Sequence, residues 1–304
     1  MADKVKRIMS GNSGRPLLAV AMALALAACQ TAGGAVAPAP TPVVSQAAPP
    51  PQVEAVAYTS SAPASAASYS EVVIDMATGS QLYAHDADKI RYPASLTKMM
   101  TLYLLFDEVG SGRYSLSSPL MVSAKAASQP PAKLGLKPGS TITVEQAARA
   151  LAVKSANDVA VAIAENISGS EDAFAAKMNA QARALGLTRT RFVNASGLPD
   201  AGHVSTARDM ARLGRALKTR FPQYAGYFRA KSFTYAGRTY KTTNNLLGKV
   251  PGVDGLKTGH TNEAGYNLVA TAHRGGERRL VVVMGSRSEG ARDKEVTRLL
   301  EASF

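Results

Sequence analysis

Ser95 and Lys98 stand three residues apart. A serine hydroxyl is a poor nucleophile until a base takes its proton. On a helix, positions i and i+3 share a face, so these two side chains would project together. A serine at a helix start also feels the positive end of the dipole, which favours negative charge on its oxygen. A lysine acts as a base only when neutral, and burial or a second cation nearby lowers its pKa. Lys257, in Lys257-Thr258-Gly259, is the natural second cation. Between these motifs lies Ser155-Ala156-Asn157. Ser155 would relay protons, and the Asn157 amide can both accept from and donate to a substrate amide. Gly259 carries no side chain, so a substrate backbone can approach it closely. S-x-x-K or K-T-G alone is a weak signal, but their order, with S-x-N between, is specific for acyl transfer through a serine.

Other schemes fail on inventory. His85, His203, His260 and His273 form no H-E-x-x-H pattern, and the single cysteine offers no ligand cluster. No metal and no cofactor are expected. There is no G-x-S-x-G elbow and no phosphate-binding glycine loop before a helix.

The positioning elements follow from periodicity. Glu71 to Asp75 reads as a strand, Thr78-Gly79 as a turn and Gln81 to Ala84 as the hairpin partner. A helix is expected from about Ser95 to Gly110, with Pro93 at its entry and apolar residues at helical spacing. From Thr143 to Gly186 the chain reads as helical pieces, opened by a Thr143/Gln146 capping box, with Ser155 interrupting the pattern. A further helix is expected from Ser205 or Thr206 to about Lys218. Strands then return: Phe233 to Tyr235, Thr239-Tyr240, Asp254 to Thr258, Tyr266 to Ala272 and Leu280 to Met284. An amphipathic helix, Ala291 to Ala302, closes the chain. Strands at both ends and helices between predict an α+β fold. Its mainly antiparallel sheet would be flanked by helices and interrupted by an inserted all-helical subdomain.

The first residues have another purpose. Lys4, Lys6, Arg7 and Arg15 precede an uncharged run, Leu17 to Ala28, as in a secretory signal, and the run is short for a membrane span. The sole cysteine, Cys29, follows Leu26-Ala27-Ala28, which resembles the lipobox of bacterial lipoproteins. The alternative is an ordinary signal peptide with Cys29 incidental. The expected domains are therefore a signal peptide over 1–28, a disordered Ala/Pro/Ser-rich tether over 29–68 and a catalytic domain over 69–304. A tether of this composition cannot bury enough apolar surface to fold. Its reach is roughly 130 Å when fully extended. Residues 1–28 hold four basic groups and one acid, so the net charge of +13 becomes +10 without them. The basic residues are scattered without interleaved aromatics, and export removes nucleic acid as a partner. Either they form a solvated surface or they attract an anionic wall polymer.

Six segments extend the pattern well beyond three short motifs. They are Pro93 to Thr101, Ser155 to Asp158, Ser196-Gly197-Leu198, Thr206 to Met210, Asp254 to Thr261 and Gly265 to Leu268. On these the sequence resembles the low-molecular-mass penicillin-binding proteins of the D-alanyl-D-alanine carboxypeptidase type, peptidase family S11, from about Tyr69 onward. The resemblance implies the β-lactamase/D,D-peptidase-like fold. It implies that Ser95 is acylated by the D-Ala-D-Ala end of a peptidoglycan stem peptide, releasing D-alanine before water frees the enzyme. Lys98 would be the base and Ser155 the proton relay. The backbone N–H groups of Ser95 and His260 would form the oxyanion hole, while Thr258 and Arg287 would hold the terminal carboxylate. β-Lactams would acylate Ser95 as mimics of the dipeptide. Many relatives continue into a β-rich domain and a C-terminal anchor, which are not expected here. Membrane attachment would then come from a lipid on Cys29. Gln30 in place of Asp would sort the lipoprotein to the outer membrane, facing the periplasm. Three alternatives stay open: a D,D-endopeptidase cutting cross-links, a β-lactamase and a non-catalytic wall- or β-lactam-binding lipoprotein. The β-lactamase reading lacks the Glu-x-x-x-Asn pattern between Asn157 and Thr206.

Overall fold

The structure is a computed structural model that describes residues 69–304. The expected signal segment, Cys29 and the tether lie outside the described residues. Within 69–304 the chain alternates two strand-rich ends with a helical middle, in keeping with the α+β expectation. In chain order the first elements are β1 (Ser70–Asp75), β2 (Gln81–His85), a 3-10 turn (Ala94–Thr97) and α1 (Lys98–Gly110). The middle holds β3 (Pro119–Met121), α2 (Ala124–Ser128), β4 (Thr141–Thr143), α3 (Val144–Val153), α4 (Asn157–Ser168), α5 (Glu171–Ala184) and α6 (Ala207–Arg220). Then come α7 (Ala225–Arg229), β5 (Ser232–Tyr235), β6 (Arg238–Lys241), β7 (Val253–Thr261), β8 (Gly265–Arg274), β9 (Glu277–Ser286) and α8 (Glu289–Glu301).

Five strands form one antiparallel sheet in the order β2-β1-β9-β8-β7, so the first and last strand groups meet at β1 and β9. Gly275 and Gly276 join β8 to β9 with φ of 54° and 87°, which suits a two-residue hairpin turn. Both faces of the central strands β1, β9 and β8 are buried, while the edge strand β2 is exposed. On β9, Leu280, Val282 and Met284 point to the helical side, while Val281 and Val283 join Val296, Leu299 and Leu300 of α8 on the other. Alternation with period two therefore gives two apolar faces, each covered by helices.

Helix α1 is buried all round, with Met99, Met100, Leu102, Leu104, Leu105 and Phe106 at most 1% exposed. A helix apolar on every face belongs in the middle of a core. The Thr143/Gln146 capping box forms as expected, with both reciprocal bonds present. Thr206 caps α6 by accepting from the Asp209 N–H at 3.1 Å. The helical insert also carries a two-stranded ribbon, β3–β4, too short to show any period in the sequence. These elements fix the start of α1 against the edge strand β7.

Candidate active site

Ser95 lies in the 3-10 turn that leads into α1, so the expected helix start is one tight turn followed by α-helix at Lys98. The turn is tied down from several sides. Asn267 on β8 donates to the carbonyls of Tyr92 and Pro93 at 3.0 and 3.1 Å and accepts from the Gly285 N–H at 2.8 Å. Thr97 Oγ1 lies 2.8 Å from His203 Nε2. The Val193 N–H donates to Nδ1 of that ring, so Nε2 carries the proton and donates to Thr97. Burial pushes the His203 pKa down to about 4, which keeps the ring neutral. Asn267 was not singled out among the expected site residues. The signal was an asparagine inside an otherwise apolar strand run.

Lys98 is fully buried, and its Nζ has three partners: Ser95 Oγ at 2.9 Å, Asn157 Oδ1 at 2.8 Å and the Ser196 carbonyl at 2.6 Å. Burial, and next the positive charge of Lys257, hold its pKa well below the usual lysine range. A neutral amine has two donors and one lone pair. Asn157 and Ser196 offer only acceptors to Nζ, so the lone pair is left to face the Ser95 hydroxyl. That is the arrangement a general base requires. Lys257 is also buried, donates to the Thr258 carbonyl at 2.8 Å, and has its pKa lowered to about 7 by burial and then by Arg292.

Ser155 sits between α3 and α4 with φ of 62°, a left-handed conformation that costs a non-glycine residue roughly 1–3 kcal/mol. Its Oγ is buried and has no hydrogen-bond partner among the described residues. Ser95, Ser155, Asn157, Thr258, Gly259 and His260 line one cavity of about 330 Å³. The structure thus brings together every expected catalytic residue, with Lys98 and Lys257 buried at the site. Asn157 is already committed, its Oδ1 to Lys98 and its Nδ2 to the Pro130 carbonyl at 3.1 Å. In this state it positions Lys98.

Gly259 shows why the third motif needs glycine. A Cβ there would lie 2.9 Å from the Pro93 carbonyl oxygen and 3.0 Å from the Ser95 nitrogen. Strand β7 therefore meets the nucleophile turn backbone to backbone. Thr258 Oγ1 lies 2.6 Å from Thr243 Oγ1, a neighbour that sequence spacing did not reveal.

Arg287 corrects one expectation. It is exposed just after β9 and lines a separate cavity with Tyr69, Lys294 and Glu295, not the one that holds Ser95. The arginine at Ser95's cavity is Arg292, one turn into α8 and 2% exposed, paired with Asp293 at 2.6 Å and Glu289 at 3.4 Å. Helix geometry explains the difference: the α8 face packed on the sheet carries Arg292, Val296 and Leu299 at helical spacing. An arginine on that apolar stripe was the signal in the sequence.

Asp158 is another residue whose role appears only in three dimensions. It is fully buried and accepts from the N–H groups of Leu134, Gly135 and Leu136 at 3.0, 2.9 and 3.1 Å. The adjoining Pro130–Ala132 segment supplies the carbonyls that hold Asn157. Asp158→Ala would leave three N–H groups without their acceptor, at about 1–3 kcal/mol for a buried orphan group. The expected loss is about 3 kcal/mol in urea unfolding, and a change under 1 kcal/mol would overturn the account.

The comparisons with known proteins agree with this geometry. The family model described as D-alanyl-D-alanine carboxypeptidase, peptidase S11, matches residues 56–288. The chain is 39% identical over 244 residues to the D-alanyl-D-alanine carboxypeptidase DacF of Bacillus subtilis (strain 168), covering 77% of this chain and 61% of that protein. It is 40% identical over 242 residues to DacA of Escherichia coli (strain K12), covering 77% and 60%. The chain thus spans about three fifths of the length of these curated relatives. Among solved structures, penicillin-binding protein 5 from Haemophilus influenzae matches with a TM-score of 0.75 at 36% identity, over 77% of this chain and 70% of that one. Penicillin-binding protein D2 from Listeria monocytogenes, in its ampicillin-bound form, matches at 0.67 and 34% identity, over 76% of this chain and 95% of that one. The chain belongs to the D-alanyl-D-alanine carboxypeptidase family.

Proposed function

We propose that this protein is a serine-type carboxypeptidase that removes the terminal D-alanine from peptidoglycan stem pentapeptides and is acylated by β-lactams. The observation that carries the reading is the Lys98 amine, buried, depressed in pKa and 2.9 Å from Ser95 Oγ. In the first step Ser95 Oγ attacks the carbonyl of the penultimate D-alanine while Lys98 Nζ takes its proton. Charge on the carbonyl oxygen meets the N–H groups of Ser95 and His260, which are worth most in a dry site. The proton then passes by way of Ser155 Oγ to the leaving nitrogen, and D-alanine departs. The unpartnered Ser155 hydroxyl supports this relay. Water hydrolyses the Ser95 ester by the reverse proton path. Thr258 and Arg292 hold the terminal carboxylate, with Lys257 adding positive charge behind them.

Product analysis on purified muropeptides tests the reading. Free D-alanine from pentapeptides is expected. Monomers released from cross-linked dimers, without D-alanine from pentapeptides, would replace it with the endopeptidase reading.

We also propose that the chain is exported, lipid-anchored through Cys29 and held at the outer membrane facing the periplasm. The basic head, the apolar run and the place of the single cysteine support this. No described helix is long and apolar enough to cross a membrane. Cys29→Ala is expected to lose incorporation of labelled palmitate and to move the protein from the membrane to the soluble fraction. An unchanged distribution would sink the anchor.

A further inference from the structure

A cavity of about 580 Å³, larger than the catalytic one, lies between α6, β1 and the 75–80 turn. Arg208, Arg212 and Arg215 line it from one face of α6, at steps of four and three residues, and no acidic residue lines it. Its floor is apolar: Val72 and Ile74 from β1, Leu185 after α5, and Ala211 and Ala216 from α6. Arg215 is fixed by uncharged groups. It donates from Nε and Nη2 to the carbonyls of Met76 and Ala77, both at 2.9 Å. Gly79 makes room for it, since a Cβ there would lie 3.1 Å from Arg215 Cζ. Arg212 donates from Nη1 to the Gly186 carbonyl at 2.8 Å and to Asp209 at 3.3 Å. Arg215 Nη1, and Arg212 Nε and Nη2, have no partner among the described residues.

The charges around this cavity do not cancel. Arg208 pairs with Asp88, and Arg189 donates to the Asp88 carbonyl at 2.6 Å. Asp75, at the start of the turn, is spent on Arg279 at 2.7 Å. The guanidinium groups of Arg189, Arg208, Arg212 and Arg215 therefore meet two carboxylates, Asp88 and Asp209. The excess positive charge falls to Arg212 and Arg215, which stand about one helical turn apart. Their open N–H groups can converge on one anion, and a guanidinium fork matches the oxygens of a phosphate. A bare phosphate would leave the apolar floor in contact with water. A phosphate ester with an alkyl chain would cover it, which is favourable.

We infer that this cavity binds an anionic phospholipid, its phosphate between Arg212 and Arg215 and the start of its chains on the apolar floor. The site is separate from the catalytic one and does not depend on the carboxypeptidase reading. It lies at β1, whereas Thr258 and Gly259 lie on β7, the far edge of the five-stranded sheet. Three strand spacings of about 4.8 Å separate β1 from β7. A lipid held there leaves the catalytic cavity open to substrate.

The test is calorimetric titration of the full-length protein with three soluble probes: dihexanoyl phosphatidylglycerol and dihexanoyl phosphatidylcholine, both kept below micelle formation, and inorganic phosphate. Phosphatidylglycerol is expected to bind about tenfold more tightly than either of the others at low salt, and more weakly as salt is added. Arg212→Gln should weaken that binding about tenfold, as loss of one charge-assisted pair allows, with penicillin labelling unchanged. Thr219→Glu sets a negative charge at the exposed wall of the cavity and should weaken it too, so the result does not hang on one variant. The double variant Lys137→Gln, Lys249→Gln removes two exposed charges elsewhere and should bind as the wild type does. Equal affinity for the two lipids, or an equal loss in the Lys137/Lys249 variant, would overturn the site in favour of general attraction to a basic surface. Inorganic phosphate binding as tightly as phosphatidylglycerol would overturn the lipid. Unchanged affinity in both Arg212→Gln and Thr219→Glu would overturn the place assigned to it.

Discussion

Ser95→Ala is expected to abolish covalent labelling by a fluorescent penicillin, and Lys98→Ala to slow that labelling about 1,000-fold, within the range assigned to a positioned general base. The first substitution removes the only atom that can form the ester. The second removes the only side chain found bonded to that atom in the described residues. Neither loss is expected to come from misfolding. Among the described residues Ser95 Oγ is held only by Lys98, and the Lys98→Ala gap is partly offset by removal of a desolvated amine. Circular dichroism and melting curves on both variants separate chemistry from collapse. Near-normal labelling in Lys98→Ala would sink the role given to that lysine. The same amine sets the acid limb of the pH profile. Protonated Lys98 has no lone pair, so labelling by the wild type should fall as pH drops through its depressed pKa. Lys257, lowered to about 7, titrates nearby, so the profile reports the pair and not one residue. Stability should move with pH in a defined direction. Both lysines have native pKa values below those of the unfolded chain, so between about 7 and 10.5 the unfolded state binds more protons. Their contribution therefore makes the protein more stable as pH rises through that window. Urea midpoints at pH 7 and 9 check the sign.

The sequence carried the nucleophile, base and third motif openly because their chemistry demands fixed types at fixed spacing. Ser155 and Asn157 were also legible, since the helical pattern breaks where they stand. The sheet could be read from β-branched runs, and both faces proved apolar because α8 covers the second. What could not be read depends on contacts between distant segments. Asn267 matters because it reaches Tyr92 and Pro93, more than 170 positions away in the chain. Asp158 matters because three N–H groups from 134–136 converge on it. Arg287 and Arg292 lie five residues apart, and only the phase of α8 against the sheet decides which one enters the catalytic cavity. Short elements such as β3, β4 and α7 hold too few residues for a period to show.

Gly197→Ala should be among the most damaging single-atom additions to this protein. Gly197 has φ of 78°, and a Cβ there would lie 1.8 Å from the Ala94 carbonyl oxygen and 2.8 Å from Thr97 Oγ1. The first contact is with backbone, which cannot rotate away. The neighbouring Ser196 carbonyl accepts from Lys98, and Ala94 precedes the nucleophile. Relief must therefore move either the loop that holds the base or the turn that holds Ser95. Left-handed strain and overpacking together suggest a loss of about 3–5 kcal/mol. For a domain of this size that corresponds to a melting temperature lower by roughly 10 °C. Penicillin labelling of the fraction that remains folded should also slow at least about tenfold, because a 1 Å displacement of a reacting atom is costly. Gly186→Ala is the control. It too has positive φ, at 72°, but a Cβ there meets nothing within 4 Å. It should cost only about 1 kcal/mol and leave labelling of the folded protein intact. Equal losses in the two variants would mean that φ strain alone acts at Gly197. A larger loss at Gly197, with slowed labelling, identifies the close approach of the 196–197 loop to Ala94 as what holds Ser95 and Lys98 in register.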